Sequence, residues 1–138
     1  GGKITMTDAP AAVDDTVAAY VVAWNAATAD RPGAVDAAFT PEAYYCDGAA
    51  EATGHAEIVS MMAGVMEQFE GSSFALSSAI DAHHRQARFG WRMSGPDGET
   101  IIEGIDAIRI DDDGRISSAL GFFGVDLPER AEAATRTG

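Results

Sequence analysis

The fold is decided by the stretch TIIEGIDAIRIDDDGRISSALGFFG, residues 100–124. Apolar and polar side chains alternate through most of it with a period of two, which is typical of half-buried β-strands. The turn sequence Asp111-Asp112-Asp113-Gly114 interrupts the alternation near its middle. The stretch therefore predicts two antiparallel strands, about 100–110 and 115–124, joined as a hairpin.

The same two-residue period begins at Ser72 and predicts two more strands, about 73–84 and 87–94, with a turn at residues 95–98. Upstream of Ser72 the apolar spacing is helical and predicts helices over about 13–29 and 55–69. A short helix, about 34–39, and a short strand, 43–46, lie between them, and residues 30–33 break the first helix. This order predicts an α+β fold, in which three N-terminal helices pack on a strongly curved, antiparallel or mixed sheet.

Composition narrows the function classes. The chain has 138 residues, 46% of them hydrophobic, so we predict one domain over 13–127 and a C-terminal tail over 128–138. Residues 1–12 are predicted to be an N-terminal extension, part of which could come from an expression vector. The net charge of −13 disfavours nucleic acid and anionic membranes as partners. With no membrane span, no signal peptide and one cysteine, Cys46, we expect a cytoplasmic protein.

The faces of the strands predict a pocket on the helix side of the sheet. Phe89 and Trp91 share one face of their strand, whereas Arg88 and Arg92 share the other. Small residues such as Gly121 on the last strand leave room beneath the helices. We predict that eight residues line this pocket, namely Trp24, Met62, Phe89, Trp91, Met93, Gly104, Gly121 and Phe123.

Asp106 is the one charged residue on the otherwise aliphatic face of the strand 100–110. An ionised carboxylate is costly on such a face, so its pKa should rise and it could hold its proton near neutral pH. A residue of this kind is a candidate for function. The alternative is that Asp106 pairs with an arginine or caps a bulge, but Arg88, Arg92 and Arg109 fall on the opposite face by parity.

No metal or cofactor site is predicted. His83 and His84 are adjacent in a predicted strand, so their rings point to opposite faces, and no histidine spacing typical of a metal site occurs. One of the two could line the pocket, although a surface position fits the pattern better. No glycine-rich phosphate loop leads from a strand into a helix, which disfavours nucleotide binding.

Several motifs resemble a known superfamily. GIDAIRI at 104–110, DGRI at 113–116 and GFF at 121–123 are similar to the last two strands of SnoaL-like and ketosteroid-isomerase-like proteins of the NTF2-like superfamily. YVVAWN at 20–25 resembles their first helix, and FTPEAYYCD at 39–47 with GH at 54–55 resembles the region from the second helix to the third. The resemblance implies an NTF2-like cone with a small-molecule pocket, and a homodimer through the outer sheet face.

The resemblance also implies roles for three residues. Asp47 would be the base that moves a proton beside a carbonyl group, and Tyr20 with protonated Asp106 would donate hydrogen bonds to the enolate oxygen. The resemblance implies these two roles because ketosteroid isomerases keep one carboxyl group ionised and another protonated through their different surroundings. From the residues alone, Tyr20 could instead be a core aromatic bonded to Asp106, and Asp47-Gly48 an ordinary turn.

Three functions therefore stay open. The first is a cofactor-independent proton-transfer enzyme, an isomerase or polyketide cyclase, acting on a small hydrophobic carbonyl compound. A smaller or differently shaped ketone than a flat four-ring one is expected, because Trp24 narrows the pocket and Phe123 stands where the family often has an indole. The second is an epoxide hydrolase or dehydratase, which would need an arginine between two aspartates in the pocket. The third is a domain that binds a small ligand without catalysis.

Overall fold

The computed structural model describes residues 8–130, and the predictions for residues 1–7 and 131–138 lie outside this range. Its helices are α1 (Asp8–Asn25), α2 (Arg31–Ala38) and α3 (Gly54–Gln68). No helix in the described range is long and apolar enough to cross a membrane. The strands are β1 (Phe39–Cys46), β2 (Glu51–Thr53), β3 (Ser73–Leu76), β4 (Asp81–His83), β5 (Gln86–Ser94), β6 (Thr100–Ile110) and β7 (Ile116–Phe123).

The strands form one mixed sheet in the order β2-β1-β7-β6-β5-β3, with β4 also paired to β5. β1 runs parallel to β7, and the other pairs are antiparallel. The hairpin predicted from residues 100–124 is present, with Asp106 opposite Gly121 on one side and Phe89 on the other. The predicted α+β fold, three helices on a curled mixed sheet, is therefore confirmed, although the sheet stays open rather than closing on itself.

The strand predicted over 73–84 is two short strands, and a glycine explains the interruption. The backbone N–H of Gly90 on β5 donates to the hydroxyl of Ser78 at 2.7 Å, and its carbonyl accepts from the N–H of Ser77 at 2.9 Å. A Cβ on Gly90 would lie 2.8 Å from Ser77 Oγ. The chain between β3 and β4 therefore folds over the place where a side chain would stand.

The helix ends also differ from the prediction. α1 begins at Asp8, inside the segment predicted as an extension, and ends at Asn25 rather than near residue 29. Arg31, predicted as part of a break, instead begins α2 and is buried. Its guanidinium donates to the carbonyl oxygens of Ala23, Trp24 and Ala26. Arg31 thereby satisfies carbonyl groups at the end of α1, where a positive charge also suits the helix dipole.

The core lies between α1 and the inner face of the sheet. Tyr20 of α1 is fully buried, and its ring packs edge-on against Phe39, Phe74 and Phe89 at centroid distances of 5.8–6.0 Å. Edge-on aromatic pairs of this kind each contribute about 0.5–1.5 kcal/mol beyond their buried area. This cluster fixes α1 against β5 and the strands around it, and so sets one wall of the cavity beside it.

Candidate functional site

A cavity of about 460 Å³ lies beside the core, between α3, the end of α1 and the inner face of the sheet. Its walls are largely apolar, and α3 contributes Met61 and Val65. The polar side chains on the walls include two carboxylates, Asp47 and Asp106, and the phenol of Tyr45. A mostly apolar cavity with a few converging polar groups is the usual form of a small-molecule site.

Five of the lining rings form a continuous series, which we call the aromatic belt: Tyr45, Trp24, Phe74, Trp91 and Phe123. Phe74 stacks between the two tryptophans, at 5.5 Å from Trp24 and 5.3 Å from Trp91. Tyr45 meets Trp24 edge-on at 6.2 Å, and Phe123 meets Trp91 edge-on at 6.4 Å. Each ring is held by its neighbours, so the belt is a preformed wall rather than a set of loose side chains.

Asp106 lies on the inner face of β6 and is only 3% exposed. The hydroxyl of Tyr20 donates to its Oδ2 at 2.6 Å, and the indole Nε1 of Trp91 donates to its Oδ1 at 2.8 Å. Burial raises the pKa of Asp106 to about 6, the two hydrogen bonds oppose the rise, and the charge of Asp47 adds to it. The rise agrees in direction with the one that the sequence predicted, and a carboxyl group with a pKa of about 6 changes its charge close to neutral pH.

Gly104 and Gly121 make the room that these side chains occupy. A Cβ on Gly104 would lie 2.7 Å from the ring of Trp91, so the indole lies directly over this glycine. A Cβ on Gly121 would lie 2.8 Å from Asp106 Oδ1 and 3.2 Å from Asp47 Cβ. Both acidic side chains therefore lie against a position that only glycine can fill.

Asp47 directly follows β1 and lines the cavity. Its Oδ1 accepts the backbone N–H groups of Ala49 and Ala50 at 2.7 and 2.9 Å, which is the pattern of an aspartate at a turn. Its Oδ2 accepts a short hydrogen bond from the hydroxyl of Tyr45. Asp47 therefore both forms the turn and places its carboxylate group on the cavity wall.

Tyr20 does not reach the cavity. It has no exposed surface, and its hydroxyl is used by Asp106. Burial, followed by the charges of Asp106 and Tyr45, raises the pKa of Tyr20 well above its usual value, so the hydroxyl remains a donor. The structure thus places Asp47 and Asp106 on the cavity wall. Tyr20 lies behind the wall and forms its hydrogen bond with Asp106.

The predicted lining residues divide into two groups. Trp24, Trp91, Met93 and Phe123 lie on the cavity wall, whereas Met62, Phe89, Gly104 and Gly121 do not. Met62 and Phe89 are buried in the core, and the two glycines lie beneath other side chains. On α3, Ile58 and Met62 share the face toward the core, while Met61 and Val65 share the adjacent face toward the cavity, since residues four apart lie together on a helix.

Tyr45 is a lining residue that the sequence analysis did not select. Its hydroxyl bonds Asp47, and burial is the main cause that raises its pKa, so it stays protonated. Parity could have indicated it, because residues two apart in a strand share a face and Tyr45 precedes Asp47 by two. Trp24 Nε1, also buried, has no hydrogen-bond partner within residues 8–130.

The cationic side chains of the described region lie elsewhere. Among residues 8–130, no Lys, Arg or His lines the cavity, and none forms an ion pair with Asp106 or Asp47. Arg88 and Arg92 pair with Asp81 and Glu103 on the outer face. The arginine that an epoxide hydrolase site would need is thus not on the cavity wall. Within the same residues, no cluster of His, Cys, Asp or Glu could hold a metal ion.

Comparison with known proteins gives a consistent picture. A family model described as SnoaL-like domain matches residues 17–119. A candidate isomerase of the SnoaL-like family from Agrobacterium tumefaciens is 28% identical over 83% of this chain and 99% of that one, with a TM-score of 0.79. No curated protein matches the chain in sequence.

Two more distant structures share the fold. A candidate polyketide cyclase from Sinorhizobium meliloti is 20% identical, over 80% of this chain and 97% of that one, with a TM-score of 0.61. A hypothetical protein with a ketosteroid isomerase-like fold from Catenulispora acidiphila, in complex with trimethylamine, is 18% identical, over 80% and 85% of the two chains, with a TM-score of 0.66.

Proposed function

The chain belongs to the SnoaL-like domain family, and from this premise we propose that it is a cofactor-independent enzyme that transfers a proton within a small, mainly apolar carbonyl compound. Its reaction would be of the isomerase or polyketide cyclase type. The observation that carries the proposal is Asp106, a carboxylate on the wall of an apolar cavity whose pKa burial raises to about 6. A group that titrates close to neutrality both takes and returns a proton readily.

Asp106 is the group that we assign to the proton transfer itself. Both of its oxygens accept hydrogen bonds, from Tyr20 and from Trp91, and these bonds fix its orientation toward the cavity. Tyr20 then acts through Asp106 as a positioning residue, because it has no exposed surface from which to touch a substrate. This differs from the roles that the family resemblance implied, in which Asp47 was the base and Tyr20 a direct donor.

The proposed reaction balances without any other reactant. The Asp106 carboxylate takes a proton from the carbon next to the carbonyl, and the C–H electron pair forms a C=C bond while the carbonyl oxygen takes the negative charge. In an isomerase, protonated Asp106 returns the proton to a different carbon. In a cyclase, the enolate carbon instead bonds to a second carbonyl carbon, and the resulting alkoxide takes the proton.

Tyr45 is the neutral donor that we assign to the carbonyl oxygen. It lies on the wall beside Asp47, and its raised pKa keeps its proton in place. If its hydroxyl turns toward a substrate, Asp47 keeps the two backbone N–H donors of Ala49 and Ala50. Hydrogen bonds to an oxygen that gains charge are most effective in a cavity that excludes water.

The test is exchange of carbon-bound protons with solvent deuterium, followed by NMR over a panel of small ketones. Wild type should catalyse exchange, and Asp106→Asn should reduce the rate by about 10²- to 10⁴-fold, the usual contribution of a positioned acid or base. Glu103→Gln is the matched control, since it removes one carboxylate from the outer face of the same strand. Equal rates in Asp106→Asn and wild type would contradict the proposal.

The dependence of the rate on pH tests the role of Asp106. A base must be ionised, so exchange should rise as pH increases through about 6 and then level off, given the raised pKa of Asp106. A rate that instead falls through the same pH would assign Asp106 the donor role that the sequence implied. Asp47→Asn would then be expected to abolish exchange, with Asp47 as the base.

A binding domain without catalysis is the second candidate, and one observation favours it. Every oxygen of Asp47 and Asp106 already accepts a hydrogen bond from the protein. Ligand binding in the cavity with no exchange in any ketone of the panel would support this alternative. Since the neighbour from Catenulispora acidiphila was solved with trimethylamine, small amines belong in the binding panel.

We also propose the homodimer that the family resemblance implied, formed through the outer sheet face. Exposed apolar side chains there include Leu120 and Phe122 of β7, which are 38% and 66% exposed. Light scattering of the wild type should give twice the mass of one chain. For Phe122→Asp it should give the mass of a single chain. A monomeric wild type at micromolar concentration would contradict this assembly.

A further inference from the structure

The cavity carries negative charge, and no cationic side chain in the described part of the chain lies on its wall to offset it. The side chains of Asp47 and Asp106 both lie next to Gly121, close enough that the charge of Asp47 acts on Asp106. Their partners are neutral: two phenols, an indole and two backbone N–H groups. Among the described lining residues there is no Lys, Arg or His.

Such an arrangement favours a positive ligand. A cation that enters the cavity gains attraction from both carboxylates, and this attraction is stronger than in water because the surroundings are less polarisable. It also relieves the repulsion between the two carboxylates, which no side chain within residues 8–130 does. A neutral ligand of the same shape gains neither effect.

The aromatic belt supports the same conclusion by a different interaction. Its five rings, Tyr45, Trp24, Phe74, Trp91 and Phe123, line the cavity together with the two carboxylates. A cation within about 6 Å of an aromatic ring is attracted by its π-electrons, most strongly by tryptophan. Rings and carboxylates together attract ammonium groups, whereas rings alone would accept any apolar ligand.

We propose that the ligand of this cavity carries one positive charge, as a protonated or quaternary ammonium group on an otherwise apolar frame. The inference rests on the proposed function and names its substrate class as an amine-bearing carbonyl compound. The ammonium group would offset the negative charge that develops on the enolate oxygen. No side chain of the described wall supplies that positive charge.

Binding can be measured directly at the site. Trp24 and Trp91 are the two tryptophans of the chain, and both line the cavity, so intrinsic fluorescence reports a ligand there. Choline and 3,3-dimethylbutan-1-ol serve as probes, since they match in shape and differ in charge. We expect choline to bind at least about tenfold more tightly than the alcohol in physiological salt.

Variants test whether the cavity carboxylates cause the difference. Asp106→Asn and Asp47→Asn should each reduce the preference for choline about tenfold. Glu103→Gln lowers the net negative charge by the same one unit on the outer face and should leave the preference unchanged, which separates the cavity from the −13 charge of the whole chain. The choline and alcohol comparison on wild type needs no variant, so a misfolded variant leaves the proposal testable.

Equal affinity for choline and the alcohol, or binding of neither, would overturn the inference. Exchange of neutral ketones without choline binding would leave the proposed function intact and remove the charged substrate class. Choline binding that depends on Asp106, with no exchange in any ketone, neutral or amine-bearing, would keep the cationic site and remove the proton-transfer function.

Discussion

Charged side chains on the two faces of β5 and β6 have different partners. On the outer face, Arg92 of β5 lies opposite Glu103 of β6, and the two side chains pair while remaining 47% and 41% exposed. On the inner face, three residues further along β6, Asp106 lies 3% exposed and is held by uncharged donors. The exposed ion pair offsets its own charges, whereas the carboxyl group among neutral donors has no opposite charge beside it and stays available to a ligand or a proton.

We expect the largest difference between the two faces in the free energy of unfolding when one glycine on each face is replaced by alanine. A Cβ on Gly104 would overlap the backbone oxygen of Phe122 and lie 2.7 Å from the ring of Trp91, and neither can move without disturbing the sheet or the belt. We expect Gly104→Ala to lower the free energy of unfolding by about 3 kcal/mol, as overpacking of a core does. Chemical denaturation measures the loss.

Gly90→Ala is the matched control on the outer face. There the new methyl group would meet the hydroxyl oxygens of Ser77 and Ser78 at 2.8 and 3.3 Å, so side-chain atoms rather than backbone atoms would have to shift. Its effect should stay within about 1 kcal/mol, because alanine also reduces the freedom of the unfolded chain. Equal losses for the two variants would show that the inner face is not the more tightly packed one.

The second prediction concerns how stability depends on pH through Asp106. Burial raises its pKa in the folded protein to about 6 from the ordinary 3.8, so the folded state binds the proton more tightly than the unfolded state. Its contribution to stability is therefore complete below about pH 4 and is lost as pH rises through 6. At 1.36 kcal/mol per pKa unit, the loss amounts to roughly 2–3 kcal/mol.

Asp106→Asn replaces the titrating carboxyl group by an amide. The difference in unfolding free energy between wild type and this variant therefore gives the contribution of Asp106 separately from that of the other carboxylates. Between pH 4 and pH 7 the unfolding free energy of the wild type should fall by roughly 2–3 kcal/mol relative to that of Asp106→Asn. Denaturation of both proteins at four pH values measures it, with Glu103→Gln as the reference for loss of one exposed carboxylate from the same strand. A difference that shifts in favour of wild type would contradict the raised pKa.

The contrast between the faces explains what the sequence could predict. The alternation along residues 87–94 and 100–110 reflects only which face of the sheet is exposed to solvent. It therefore correctly predicted that Trp91 and Asp106 point inward. It also correctly predicted that Arg88 and Arg92 point outward. The turn residues 111–114 then predicted the hairpin that joins β6 and β7. β2 was missed because three residues are too few for a pattern, and the split after β3 depends on backbone contacts with Gly90 that no pattern reveals.

The wall of the cavity could be predicted less well, since it depends on packing between elements. The apolar stripe of α3 contains both Met61 and Met62, and only the position of the helix decides that Met61 lines the cavity. From the sequence alone Tyr20 could be a core aromatic bonded to Asp106, as the structure shows, but its depth behind Asp106 follows from the rings around it. Tyr45 was within reach of the sequence through its parity with Asp47.

The smallest effect is the most direct comparison of the two faces, a pair of double-mutant cycles. Tyr20→Phe and Asp106→Asn should show a coupling of about 1–2 kcal/mol at pH 7, because a hydrogen bond to a buried charge leaves a costly unpaired group when broken. Arg92→Gln and Glu103→Gln should show a coupling below about 0.5 kcal/mol, since that pair is 3.7 Å apart and half exposed. Couplings of equal size would mean that the inner carboxylate is held no more firmly than a surface ion pair, and Tyr20 would lose its role as a positioning residue.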